Sequence, residues 1–316
     1  MKLYTSQKIH NDTIAHFLQD ITIPTITDEH KHTCDDIITR DEISKAINQL
    51  QTNKSPGLDG LTPEFYKAFQ TTLIPILEQL YNHTFYQGEM TQTMRQGLIT
   101  LIYKNKGNHT DLKNWRPISL LNIDYKILSK ILTNRIKQTL GNIINKQQTC
   151  GEKGRNITNN ILSMKSILEY MEQKEIDGAL VLIDQEKAFD RVETNFMLKI
   201  LEKFGFGENI IRWIQTLYTN ITSKVQVNGA RTKPFKIERS LRQGCPLSML
   251  LYIICIETLR IKIQNDPQIE GIKIPNIQEI CKTFQHADDS NHFITNIHSF
   301  QKLLDQYNSF GKASGA

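Results

Sequence analysis

Apolar residues recur at helical spacing through most of the first half of the chain. Thr39 stands three residues before Glu42, the spacing of a capping box, and Ile43, Ile47 and Leu50 follow on one face. NKSPGLDGLTPEFYKAF sets Pro-Gly and Asp-Gly turns ahead of a helix with Phe65, Phe69, Leu73, Ile76 and Leu80 expected inward. GLITLIYKNKG reads as a strand. After NWRPISLLN comes a long helix carrying Leu128, Ile131, Leu132, Ile136 and Leu140, then another with Ile157, Ile161, Met164, Leu168 and Met171. Residues 1–35 are polar and irregular, and the expectation there is a linker.

The rhythm changes near residue 178. ALVLI is a short apolar run ending on Asp184, as in a buried strand whose last residue reaches into a cleft. Two helical patterns follow. VQVNGARTKPFKI then alternates on either side of Asn228-Gly229 like a hairpin. Pro246 stands where a helix begins, with Leu247, Leu250, Leu251 and Ile254 behind it. ICKTFQHADDSNHFI reads as strand, tight acidic turn, strand. The final pattern, Ile297 to Phe310, is an amphipathic helix that runs almost to the last residue, which suggests a piece of something longer.

Composition narrows the function classes. The 316 residues are 39% apolar and 22% charged, with a net charge of +5. That is enough chain for about two structural units, with a mild lean towards a polyanionic partner. Five dispersed cysteines without a CxxC pair indicate reduced thiols in an intracellular protein. The first residues lack the apolar run of a secretory signal, and no stretch approaches the roughly 18 apolar residues of a membrane helix. The His30-Lys31-His32-Thr33-Cys34 cluster lacks a fourth ligand at zinc-site spacing and reads as solvated linker.

Two carboxylate sites carry candidate chemistry: Asp184, and Asp288-Asp289 about a hundred residues later. Either could be only a strand end or a polar turn. Carboxylates on neighbouring strand ends also suit phosphoryl transfer assisted by two Mg²⁺ ions roughly 3.5–4 Å apart.

The surrounding residues carry a resemblance. IDQEKAFDRV resembles the first catalytic motif of reverse transcriptases from LINE-type (non-LTR) retrotransposons. RQGCPLSMLLY resembles their nucleotide-pocket motif, and HADD their Tyr/Phe-Ala-Asp-Asp hairpin. NKSPGLDGLTPEFYKAF, LITLIYKNKGN, NWRPISLLNIDYKILSKILTNRI and QQTCGEKGRNITNNI are similar to their finger-region blocks, in the same order. Seven blocks in order reach from about residue 36 to the end.

The resemblance implies an α+β right-hand polymerase: fingers over 36–177, an antiparallel palm sheet backed by helices over 178–316, and no thumb. It implies RNA-directed DNA polymerase activity, with an RNA template, a DNA primer and deoxynucleoside triphosphates as partners. Asp184 and Asp288 would ligate two Mg²⁺ ions (Mn²⁺ as a substitute), with Asp289 in support. Phe189 would wall off the sugar 2′ position, Gln243 and Gly244 would lie under the incoming nucleotide, and Lys104 and Arg116 would grip its triphosphate. Arg155 would either contact template or cap a helix. Action in the nucleus is part of the same implication. The competing expectation is a catalytically inactive remnant that keeps weak nucleic-acid binding. Four positions depart from the family pattern: His286 for Tyr or Phe, Ser240 for Gly, Met249 for Pro and Glu152 for an aromatic.

Overall fold

The computed structural model describes residues 2–316 apart from positions 20, 153 and 276. In chain order the first elements are α1 (Asn11–Leu18), α2 (Asp28–Asp35), α3 (Arg40–Asn48), α4 (Pro63–Ala68), α5 (Gln70–Gln87), α6 (Gln92–Arg95), β1 (Gln96–Tyr103) and β2 (Trp115–Leu121). There follow α7 (Ile123–Lys137), α8 (Leu140–Ile143), α9 (Ile157–Gln173), β3 (Ala179–Ile183), α10 (Ala188–Arg191), α11 (Thr194–Lys203) and α12 (Glu208–Tyr218). The chain closes with β4 (Thr222–Val227), β5 (Ala230–Arg231), β6 (Phe235–Lys236), α13 (Ser248–Asn265), β7 (Thr283–His286), β8 (Asp289–Ile294) and α14 (Ile297–Ser314). The fold is α+β, as expected.

Two compact units interleave along the chain. One takes Met1–Ser6, Asp28–Ile136 and Phe206–Ser248; the other takes Gln7–Thr27, Lys137–Gly205 and Met249–Ala316. Neither coincides with a contiguous stretch such as 36–177 or 178–316.

The first unit holds a five-stranded sheet in the order β2-β1-β4-β5, with β6 also on β4. β1 and β2 are antiparallel, whereas β1 and β4 are parallel, from Gln96 opposite Thr222 to Thr100 opposite Gln226. Asn228 (φ 48°) and Gly229 (φ 80°) turn β4 into β5, since a two-residue hairpin needs left-handed residues to match strand twist. The capping box of α3 forms as the sequence indicates, with Thr39 and Glu42 bonding each other's backbone N–H. Glu42 also takes the buried guanidinium of Arg135 on α7, at 2.7 and 2.8 Å. The same guanidinium donates to the carbonyls of Cys34, Asp36 and Ile37, pinning the entry to α3. Burial alone would raise the Glu42 carboxyl, but Arg135 and Thr39 together hold it below the usual value.

The second unit holds the antiparallel sheet β3-β8-β7. One apolar cluster joins Ile167 and Met171 of α9 to Phe284 and Phe293 of the hairpin strands. Another joins Phe17 of α1, Phe196 of α11 and Phe310 of α14, with ring centroids 5.6–6.0 Å apart.

Three expectations about helical segments need correction, and ALVLI, expected as a buried strand, forms β3 with no residue buried and Leu182 72% exposed. The stretch expected as an irregular linker over 1–35 holds two helices: α1 buries Ile14, Phe17 and Leu18 at spacing i, i+3, i+4. An eight-residue helix is marginal alone, but a buried Phe contributes about 1.5–3 kcal/mol, so packing holds it. In α2, Cys34 is 1% exposed and burial pushes its thiol up to about 12, so it serves as core. Secondly, α4 and α5 turn Tyr66, Leu77 and Tyr81 inward, while Phe69 and Ile76 are exposed. Thirdly, α9 buries Asn160, Ile167 and Met171 and leaves Ile157, Ile161 and Leu168 exposed. Both of these segments are apolar on more than one face, so periodicity does not choose the face.

Candidate active site

In the second unit the carboxylates lie where a strand end meets a hairpin turn. β3 runs antiparallel to β8, from Ala179 opposite Ile294 to Ile183 opposite Ser290. Asp184 is the residue after Ile183 and Asp289 the residue before Ser290, so the two flank the last pair of the ladder. His286 pairs with Asp289, so only Ala287 and Asp288 make the turn between β7 and β8. Asp184 and Asp289 are exposed and Asp288 is half-buried. Burial raises the Asp288 carboxyl, and the negative charges of Asp289 and Asp184 add to the rise. Asp184, His286 and Asp289 line a cavity of about 370 Å³ together with Ile161 and Met164 of α9. Among the described residues, no three His, Cys, Asp or Glu side chains converge as a metal cage.

Phe189, at the start of α10, stacks on Tyr252 of α13 with ring centroids 4.4 Å apart and planes 23° from parallel. The Tyr252 hydroxyl donates to Gln185 Oε1 at 3.5 Å. Burial, then Asp288 and more weakly Asp184, push the Tyr252 phenol well above its ordinary pKa. The Arg155 guanidinium donates to the carbonyls of Asn145 (2.6 Å), Gln148 (3.0 Å) and Ile144 (3.2 Å). That is a cap beyond α8, one of the two roles left open for it by the sequence.

The first unit gathers the other candidates around β2. Arg116 is exposed and pairs with Ile102. Lys104 lies two residues beyond Ile102, and its N–H continues the ladder to the Asn114 carbonyl at 2.8 Å. The alternation of strand side chains thus sets Lys104 and Arg116 on the same face. The Lys104 ammonium donates to the Lys113 carbonyl at 2.7 Å. Gly244 (φ 77°) backs onto β2 so closely that a Cβ would lie 2.7 Å from the Ser119 carbonyl oxygen. Gln243 beside it is half-buried. The turn is anchored by Arg242, whose guanidinium donates to the carbonyls of Met94 and Arg95 and lies 4.4 Å over the Tyr125 ring.

Residues 102–316 match the family model described as reverse transcriptase (RNA-dependent DNA polymerase). The chain belongs to that family. It is 34% identical over 267 residues to the "Transposon TX1 uncharacterized 149 kDa protein" of Xenopus laevis, covering 84% of this chain and 20% of the relative. It is 27% identical over 235 residues to a Pol polyprotein from the type-1 retrotransposable element R2 of Popillia japonica, covering 74% and 32%. It is also 26% identical over 223 residues to the RNA-directed DNA polymerase from mobile element jockey of Drosophila funebris, covering 69% and 24%. The chain spans between a fifth and a third of the length of these relatives.

Within this reverse transcriptase chain the departures from pattern have structural places. His286 is half-buried and its Nδ1 lies 3.0 Å from the Thr149 hydroxyl. Ser240 has φ of 132°, a backbone region that favours glycine. Met249 is 38% exposed, with its sulfur 3.3 Å from the Cys150 thiol. Sequence reasoning missed Tyr252 and Arg242 as supports. Both lie in the RQGCPLSMLLY block, but only the tertiary contacts reveal what each one holds.

Proposed function

We propose that the chain is the fingers-and-palm core of an RNA-directed DNA polymerase that extends a DNA primer along an RNA template. The observation that carries this reading is the register that brings Asp184, at the end of β3, beside the two-residue turn bearing Asp288. Family membership supports the same reading. The terms fingers (36–177) and palm (178–316) describe roles along the sequence rather than the compact units.

The donor set fits hard divalent cations. Asp184, Asp288 and Asp289 offer only carboxylate oxygens, and the mutual repulsion felt at Asp288 is what a cation would relieve. Asp184 and Asp288 would hold two Mg²⁺ ions, or Mn²⁺ in their place, with Asp289 in support. Bound there, such ions activate the primer 3′-hydroxyl and neutralise the departing pyrophosphate. Open carboxylates without a cage leave coordination positions for substrate phosphates.

The chain's own side chains do the rest. Lys104 and Arg116, on one face of the β1–β2 hairpin, bind the triphosphate of the incoming deoxynucleotide. Gly244 lets backbone approach the nucleotide and Gln243 hydrogen-bonds its sugar. Phe189, braced by Tyr252, excludes a 2′-hydroxyl. Arg155 stiffens the loop after α8, and a template contact through that loop is secondary. No helix among the described residues is long and apolar enough to cross a membrane. Action in the nucleus follows if the primer is chromosomal.

Primer extension on an RNA template tests the proposal. Asp184→Asn or Asp288→Asn should lower extension at least about 10²–10³-fold, while template-primer binding stays within about twofold because phosphate contacts persist. Extension by either variant at the unaltered rate would exclude these metal ligands. Binding without extension by the unaltered chain would favour the inactive remnant.

A further inference from the structure

The hairpin that carries Asp288 turns through an unfavourable residue. Ala287 has φ of 55°, a left-handed conformation that costs a residue with a Cβ about 1 kcal/mol or more. Two-residue hairpin turns place glycine or asparagine at such positions. A conformation of this kind persists when its surroundings over-determine it.

Gln148 supplies that constraint. Its side chain is fully buried. Its Oε1 accepts from the Ala287 N–H at 3.0 Å and from the Cys150 N–H at 3.1 Å, while its Nε2 donates to the Ala287 carbonyl at 3.4 Å. One amide thus engages both backbone polar groups of the turn residue. The flanking backbone lies along β7: Gln285 N–H donates to the Gln147 carbonyl and Thr149 N–H to the Gln285 carbonyl, each at 3.0 Å. Buried Asn160 of α9 ties the two strands together, donating to the Gln147 carbonyl at 2.8 Å and the Gln285 carbonyl at 2.9 Å.

Resting on the polymerase reading above, we propose that Gln148 is a positioning residue: it fixes the Ala287 backbone so that Asp288 is presented beside Asp184 at the end of β3. Gln148 touches no substrate in this role. Its amide suits the task because it offers a donor and an acceptor in one plane, as a peptide group does. With only two residues in the turn, rotation of the Ala287 peptide tilts Asp288 directly, and small misplacements of a reacting group are expensive in rate.

The test is Gln148→Met, which keeps side-chain volume and loses all three bonds. Hydrogen exchange at the Ala287 amide should become at least about tenfold faster, while amides of α13 and the middle of β8 keep their protection. In primer extension, kcat should fall about 10–100-fold, with the deoxynucleotide KM and template-primer binding within about twofold. Ala287→Gly added to Gln148→Met should restore part of the lost kcat, because glycine adopts the turn unaided. Unchanged protection at Ala287 overturns the proposal, as does a uniform loss of protection or a loss of binding with kcat intact. If the unaltered chain extends no primer, the polymerase reading fails, and exchange at Ala287 alone decides whether Gln148 holds the hairpin. Should Gln148→Met not fold, Gln148→Leu loses the same three bonds and carries the same measurements.

Discussion

Phe189 rests its ring on that of Tyr252, 4.4 Å between centroids and nearly parallel. A side chain held this way is a wall with a fixed position rather than a swinging gate. Tyr252 is fully buried and cannot follow if the wall is cut back. Phe189→Val should therefore raise ribonucleotide incorporation relative to deoxynucleotide by at least about tenfold, a discrimination of 1–2 kcal/mol typical of a lost steric contact. Steady-state incorporation of matched nucleotide pairs measures it. An unchanged ratio returns Phe189 to a packing role against α13.

Ser240 adopts a backbone angle that suits glycine, and it does so while buried. Substituting glycine removes that strain. Ser240→Gly should stabilise the chain by about 1 kcal/mol, read as a higher urea midpoint with unchanged slope. A lower midpoint would mean that the hydroxyl bond to the Leu241 carbonyl (3.2 Å) outweighs the strain.

Gly244 is the opposite case. A methyl group there meets the Ser119 carbonyl at 2.7 Å and also needs φ of 77°. Gly244→Ala should cost about 2 kcal/mol or more and raise the deoxynucleotide KM by pushing the turn away from β2. Stability and KM both unchanged would show that the turn has room.

His292 sets an acid limit. It is 1% exposed on β8, with Nδ1 3.2 Å from the Thr283 hydroxyl and Nε2 2.8 Å from the Tyr307 hydroxyl. Burial pushes its pKa down to about 3, against about 6.5 for a free imidazole. The folded chain thus keeps the ring neutral while the unfolded chain protonates it. Stability linked to His292 is fully present above pH 6.5 and declines as pH falls from 6.5 towards 3. Between pH 7 and pH 5 the unaltered chain should lose about 1–2 kcal/mol more than His292→Gln. Urea unfolding of both at constant salt checks this, and parallel pH profiles would refute it.

Local signals in the sequence were legible where chemistry is local. Thr39 and Glu42 cap α3, Asn228-Gly229 turns β4 into β5, and ALVLI and HADD become β3 and the acidic turn, because each depends on residues a few positions apart. Helix faces were less legible. On α9, eight apolar residues from Ile157 to Met171 surround the helix, and the fold buries Ile167 and Met171 through contacts with β7 and β8. Asn160 and Gln148 gave no signal, since a buried amide is recognised only by the carbonyls it meets. The helix α1 was overlooked because its three apolar residues sit in a polar stretch and find their partners in α11 and α14, over 170 residues away.

The parallel pairing of β1 with β4 joins Gln96 to Thr222, and its consequence lies in the order of synthesis. A ribosome adding about 5–20 residues per second takes roughly 6 to 25 s to travel from one partner to the other. Once β2 (Trp115–Leu121) has been made, β1 can pair on that edge, but its other edge stays an open row of backbone donors and acceptors until β4 follows. The nascent chain therefore passes through a vulnerable period whose length is set by translation speed, and slower elongation between these codons would lengthen its need for chaperone protection.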